Sequence, residues 1–179
     1  LTFPKKAKPL NLFVTPQEFG NFESFEELFE HFPPMLSGYQ PSFYLNETDD
    51  VDRDVLRDER QRDRFLVKML YILLVKRLES SWFSFFSTVG KIRDHHQNAL
   101  ERIKAYQEEK KNSHANETED ELFEDDDLEV EYEEFTLGKK RKVRLSEIDE
   151  AGNLSLFKKD LKRDLEALDN LYSNFDKFQ

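Results

Sequence analysis

Two Gly-Lys pairs, Gly90-Lys91 and Gly138-Lys139, are where this sequence could cradle a phosphate, and both fail the test. A Walker loop needs a second glycine five residues earlier so that backbone amides can wrap the phosphates, and those positions hold Phe85 and Glu133. The acidic pairs Asp58-Glu59 and Asp120-Glu121 follow charged residues, not the apolar strand that presents the magnesium-holding acid of a motor ATPase. His95-His96 suggests a metal, yet adjacent helical residues point about 100° apart and cannot share one ion. His96 is expected on an apolar seam and His95 in solvent. Ser80-Ser81 has no Gly-x-Ser-x-Gly context and no His at helical spacing, so helix capping or close packing is its expected role. No catalytic residue, cofactor-binding residue or metal ligand is expected in this segment.

Two clusters keep a binding role. Arg77 has Leu73, Leu74, Ser80 and Ser81 at its helical neighbour positions, while Lys76 lies one turn from Glu79. A guanidinium on so apolar a helix needs a carboxylate or phosphate from another element. A core ion pair is the expected partner of Arg77, and a contact with a neighbouring lobe or nucleic acid is the alternative, for which Lys76, Arg77, Glu79, Ser80 and Ser81 are the candidate residues. The run Lys139-Lys140-Arg141-Lys142 is a candidate phosphate contact. Residues 117–134 hold twelve acids and no base, so the formal charge of −11 belongs to that stretch. The remainder balances 27 basic against 26 acidic side chains. The acidic run lacks the Asp/Asn alternation and central Gly of an EF-hand and is expected to be a solvated tract, which could shield the basic run until phosphate displaces it.

These residues must be positioned by helices. Seventeen Phe, six Tyr and one Trp supply core bulk for a single domain spanning residues 1–179, although 36% of the chain is charged. Residues 1–50 read as an extended and short-helix segment: a short strand at Leu10-Asn11-Leu12-Phe13-Val14, then helical turns opened by Thr15-Pro16-Gln17-Glu18 and by the capping box Ser24-Phe25-Glu26-Glu27. Pro33-Pro34 stops the second turn, and residues 35–45 form an aromatic loop expected to lie on something larger. Residues 52–111 are long helices. Residues 65–78 are apolar on nearly every side, which predicts a central helix. After Glu79-Ser80-Ser81, the series Trp82, Phe85, Val89, Ile92, His96, Ala99, Ile103 and Tyr106 advances by threes and fours. Residues 112–153 read as an acidic and basic loop with a marginal β-hairpin, and residues 154–178 as a C-terminal helix with the seam Leu154, Phe157, Leu161, Leu165, Leu168, Tyr172 and Phe175. The fold class expected is mainly α, an antiparallel helical bundle in which the two seams cover each other.

With no Cys and no long apolar run, the chain is expected to be cytoplasmic, without disulfides or a membrane span. Leu1 in place of Met fits an excised segment. An independent interaction protein is the alternative, with Phe13, Phe19, Phe22, Tyr39 and Phe43 as an exposed aromatic surface for a partner or a second copy.

The stretch Val75-Lys76-Arg77-Leu78-Glu79-Ser80-Ser81 resembles the Leu-Lys-Arg-Leu-Glu-Ser-Ser signature of bacterial Swi/Snf-like superfamily-2 helicases, a group often fused to phospholipase-D-like nuclease domains. Val75 stands where Leu is commoner. Phe3-Pro4-Lys5-Lys6 resembles the end of the first motor lobe, Tyr39-Gln40-Pro41-Ser42-Phe43-Tyr44 the Tyr/Pro segment, and Asp160-Leu161-Lys162-Arg163-Asp164-Leu165 the Asp-Leu repeat that leads into the second lobe. The resemblance implies a helical protrusion or linker between the lobes of an ATP-dependent translocase. ATP and Mg would then be held by those lobes, the lobes themselves would be the partners, and DNA would be engaged through the parent protein.

Overall fold

Local capping sets where the first helix begins. Ser24 Oγ accepts the Glu27 amide at 3.1 Å, while the Glu27 carboxylate takes the Glu23 amide at 2.5 Å. The computed structural model describes residues 15–18, 20–47, 50–112 and 143–175, and it is mainly helical. A 3₁₀ turn at Pro16–Glu18 precedes α1 (Phe25–Glu30), and two further 3₁₀ turns, Ser37–Tyr39 and Pro41–Tyr44, make up the aromatic loop. The long helices α2 (Asp50–Ser80) and α3 (Trp82–Asn112) follow, then α4 (Leu145–Glu150) and α5 (Leu154–Ser173). No β-strand occurs among the described residues. The expected strand at 10–14, the hairpin, the acidic run and Lys139 to Lys142 lie outside them. No helix among the described residues is long and apolar enough to cross a membrane.

Helix α4 falls in a stretch expected to be loop. It is a short apolar anchor, burying Leu145 and Ile148, with Arg144 N donating to Glu147 Oε2 at 3.2 Å. Gly152, at φ +74°, then reverses the chain into α5, a left-handed conformation that favours glycine.

The α3 seam is buried from Trp82 to Ile103, with Tyr106 half-buried, whereas on α5 Leu165 and Tyr172 are half-buried and Asp164 and Leu171 take the buried positions beside them. Phe85, Val89, Ile92, His96, Ala99 and Ile103 of α3 are fully enclosed, as are Phe157, Leu161 and Leu168 of α5. Contacts between the two helices run in opposite chain order. Phe86 stacks on Tyr172 with centroids 4.4 Å apart, Arg93 pairs with Asp169, and Lys158 donates to Gln107 at 2.5 Å. Helix α2 folds back sharply at Ser81, so that Leu70 and Leu74 share a core with Phe85 and Val89. At the other end Leu56 shares a core with Ala99, Leu100 and Ile103.

Helix α2 is not a central helix. Val67, Leu70 and Leu74 face the core, but Phe65, Ile72 and Val75 are 43%, 41% and 42% exposed. One side of α2 is covered by α3 and the aromatic loop, and nothing among the described residues covers the other. The expected exposed aromatic surface also needs correction. Phe22 and Tyr39 are buried, Phe22 against Phe175 and His31, Tyr39 against the histidines of α3, while Phe43 is half-buried. Phe13 and Phe19 lie outside the described residues.

Candidate functional site

The core is divided in two. On α3 the first apolar cluster ends at Ile92 and the second begins at Ala99; on α5 the second reaches Leu161 and the first resumes at Leu168. Between them lies a buried polar layer formed by His95, His96 and Asp164, and the loop of residues 37–44 crosses the molecule there.

Asp164 is fully buried and takes two hydrogen bonds on one carboxylate oxygen, from Ser37 N at 2.8 Å and Ser37 Oγ at 2.6 Å. Ser42 repeats the arrangement at the other edge of the loop, donating N–H at 3.2 Å and Oγ at 2.6 Å to Asp63 of α2. Tyr44 donates to Asp160 at 2.8 Å, and Arg60 of α2 donates to the Leu45 carbonyl at 2.8 Å. The loop is thus pinned to α2 and α5 by its own hydroxyls and amides, since 3₁₀ turns this short leave most of their backbone groups to be satisfied elsewhere.

Both histidines face Gly38. Gly38 N donates to His96 Nε2 at 3.3 Å, and His95 Nε2 lies 3.1 Å from the Gly38 carbonyl. His96 Nδ1 bonds the Ile92 carbonyl at 2.8 Å, and the Tyr39 ring stacks on His95 with centroids 4.1 Å apart. Contrary to expectation, His95 is buried, because the loop supplies a third wall beside α3 that no two-helix seam would. Burial lowers the pKa of His96 below its usual value, against the Ile92 bond and the Asp164 charge, which raise it. Tyr44 and Tyr71 are both pushed up, chiefly by burial. Arg93 is raised by its hydrogen bond to Asp169.

Ser37, His96 and Asp164 have the residue types of a hydrolytic triad without its geometry. Ser37 Oγ donates to the carboxylate, not to an imidazole, and His96 Nε2 is occupied by a backbone amide. All three are sealed from solvent, so the layer holds the loop and has no open face for a substrate. Among the described residues no group of three or more His, Asp or Glu could hold a metal ion.

The Lys76 to Ser81 block sits at the corner between the two long helices. Lys76, Glu79 and Ser80 are exposed, and Arg77 and Ser81 are half-buried. Ser81 performs the expected capping: its Oγ accepts the Ser84 amide at 3.3 Å, its carbonyl the Phe85 amide at 3.0 Å, and its own amide reaches the Arg77 carbonyl at 2.7 Å. No ion pair among the described residues includes Arg77. Phe83, one residue into α3 from the corner, is 70% exposed. Two open depressions of about 410 Å³ add cationic surface that was not singled out from sequence. One is lined by Arg53, Arg57, Arg60 and Arg64 with Glu47 and Asp54, the other by Lys158, Lys159, Lys162 and Arg163 with Ser155 and Glu166.

No family model, curated protein or solved structure matches this chain. The helicase resemblance accordingly rests on the short blocks quoted above.

Sequence reasoning missed Ser37, Gly38 and Asp164. Only Asp164 left a signal: Phe157, Leu161, Asp164 and Leu168 advance by four, three and four, which places the carboxylate on the buried stripe.

Proposed function

We propose that the chain is a non-catalytic helical protrusion or linker of an ATP-dependent nucleic-acid translocase, coupling two motor lobes. The observation that supports this reading most is the corner between α2 and α3. There the polar residues Lys76, Glu79 and Ser80 are exposed within about a turn of the exposed apolar side chains Ile72, Val75 and Phe83. Single exposed apolar residues are ordinary, but a mixed polar and apolar set at the end of a stiff element suits docking against another domain. Each long helix has 31 residues, about 46 Å at 1.5 Å per residue, and a pair locked through shared cores would transmit a rotation instead of absorbing it. Lys76 and Arg77 would meet carboxylates of a lobe or phosphates of DNA, and the arginine face of α2 would extend that contact.

The exposed stripe Phe65, Ile72 and Val75 favours a second reading, in which this face of α2 pairs with another protein or a second copy of the chain.

The reading frame around the coding segment tests the first proposal. It should encode Gly-x-x-x-x-Gly-Lys-Ser/Thr upstream and an arginine-finger motif downstream, and a frame with neither would overturn the placement. ATP turnover by the isolated chain, with contamination excluded, would overturn it too. Sedimentation of the chain beside its Ile72→Lys variant addresses the second: a dimer dispersed by the substitution supports pairing through α2, and a monomer in both cases ends it.

A further inference from the structure

We propose that residues 37–44 are a proton-released latch, held closed by neutral His96 and opened when that imidazole takes up a proton. The hydrogen bonds themselves fix the protonation states. The Gly38 amide can only donate, so His96 Nε2 must carry a lone pair; the Ile92 carbonyl can only accept, so the His96 proton sits on Nδ1. The Gly38 carbonyl likewise requires the proton of His95 on Nε2. One residue is therefore gripped by two adjacent imidazoles, one accepting at Nε2 and the other donating from it. Glycine is what permits the grip, since a Cβ at position 38 would stand 3.2 Å from His95 Cδ2 and 3.3 Å from both His96 Cε1 and Nε2.

A second proton on His96 would turn Nε2–H toward the Gly38 N–H, replacing an attraction by two facing donors inside a layer closed to water. The charged and titratable groups around the latch come from every element that packs on it. From α5 they are Asp164, Asp160 and Arg163, the last lying 3.2 Å from Asp160 and 3.5 Å from Asp164. From α2 they are Asp63, Arg60, Arg64 and Tyr71, with the buried Glu59 one turn before Asp63; from α3, His95; and from the loop, Tyr39 and Tyr44. Asp164 favours the imidazolium, but burial outweighs it, and Tyr44 and Tyr71 are shifted upward and stay neutral in this range.

The direction of the pH effect follows from His96 binding protons more weakly closed than open, where its pKa returns to 6.5. Closure is fully favoured above 6.5. As pH falls from there toward the lower closed-state pKa, the open fraction grows about tenfold per pH unit, and below that pKa it levels off.

Amide hydrogen exchange tests this on the intact chain. The amides of Tyr39, Gln40, Phe43 and Leu45, each bonded within the loop, report closure, and the middle of α5 serves as the reference. From about pH 7.5 to about pH 5, after correction for intrinsic exchange, loop protection should fall, by up to about thirtyfold, while α5 keeps its own. In His96→Gln the side-chain oxygen can accept the Gly38 amide without titrating, so loop protection should stay level. A flat wild-type profile, an equal fall in His96→Gln, or a simultaneous loss of α5 protection would each overturn the proposal. Should the variant not fold, the imidazole nitrogen spectrum of the wild type decides. A neutral His96 protonated on Nδ1 supports the latch, and one protonated on Nε2 refutes it.

Discussion

Asp164 shows how one residue can be conspicuous in phase and inconspicuous in type. It lies on the buried stripe of α5, yet Lys162 and Arg163 before it and Leu165 after it read as an ordinary solvated Asp-Leu repeat. What allows a carboxylate there is the loop 127 residues away, which brings the Ser37 amide and hydroxyl to one oxygen, and nothing in the local sequence announces that partner. Asp164→Ala would leave two donors without an acceptor in a dry layer, an expected loss of about 2 kcal/mol in urea unfolding. Combined with Ser37→Ala, the loss should be smaller than the sum of the two single losses, because the second change removes a donor the first had already orphaned. Strict additivity would mean the pair does not act as a unit. Gly38→Ala should destabilise by about 1–3 kcal/mol, since the new methyl would stand 3.2–3.3 Å from the His95 and His96 rings and would force them to shift.

At the scale of elements, periodicity was a good guide wherever a helix has one partner stripe and a poor one where packing is lopsided. The three-and-four spacing of α3 marks its buried face almost residue by residue, that of α5 gives way at Leu165 and Tyr172, which are half-buried while Asp164 and Leu171 are buried, and the break at Ser80-Ser81 falls where the chain turns. In residues 65–78 apolar side chains occur on every side, so composition alone implied full burial. The structure covers Val67, Leu70 and Leu74 and leaves Phe65, Ile72 and Val75 open. Adjacent substitutions should separate the two faces: Leu74→Ala is expected to cost about 2–5 kcal/mol, and Val75→Ala to stay within about 0.5 kcal/mol. Equal losses from thermal or urea unfolding would mean that both faces of α2 are packed. Helix α4 escaped notice because six residues with two buried apolar side chains carry too little pattern to stand out beside a charged tract, although Gly152 after it is a helix-stop signal.

The molecule as a whole raises the question of whether two apolar clusters separated by a polar layer behave as one folding unit. Helices α3 and α5 each run through both clusters without a break, and the loop of residues 37–44 ties α2, α3 and α5 together at the layer itself. Melting one cluster alone would require cutting both helices at the level of His96 and Asp164, leaving the Ser37 and Gly38 hydrogen bonds unmade in a half-opened core. That cost should exceed the gain in chain entropy from releasing one half, so unfolding near neutral pH is expected to be a single transition. The lone Trp82 belongs to the first cluster, while far-UV circular dichroism reports helix throughout. Trp82 fluorescence and ellipticity should therefore give coincident curves in urea. A Trp82 transition that clearly precedes the loss of helix would show the two clusters to be separate units and the polar layer to be a seam between them.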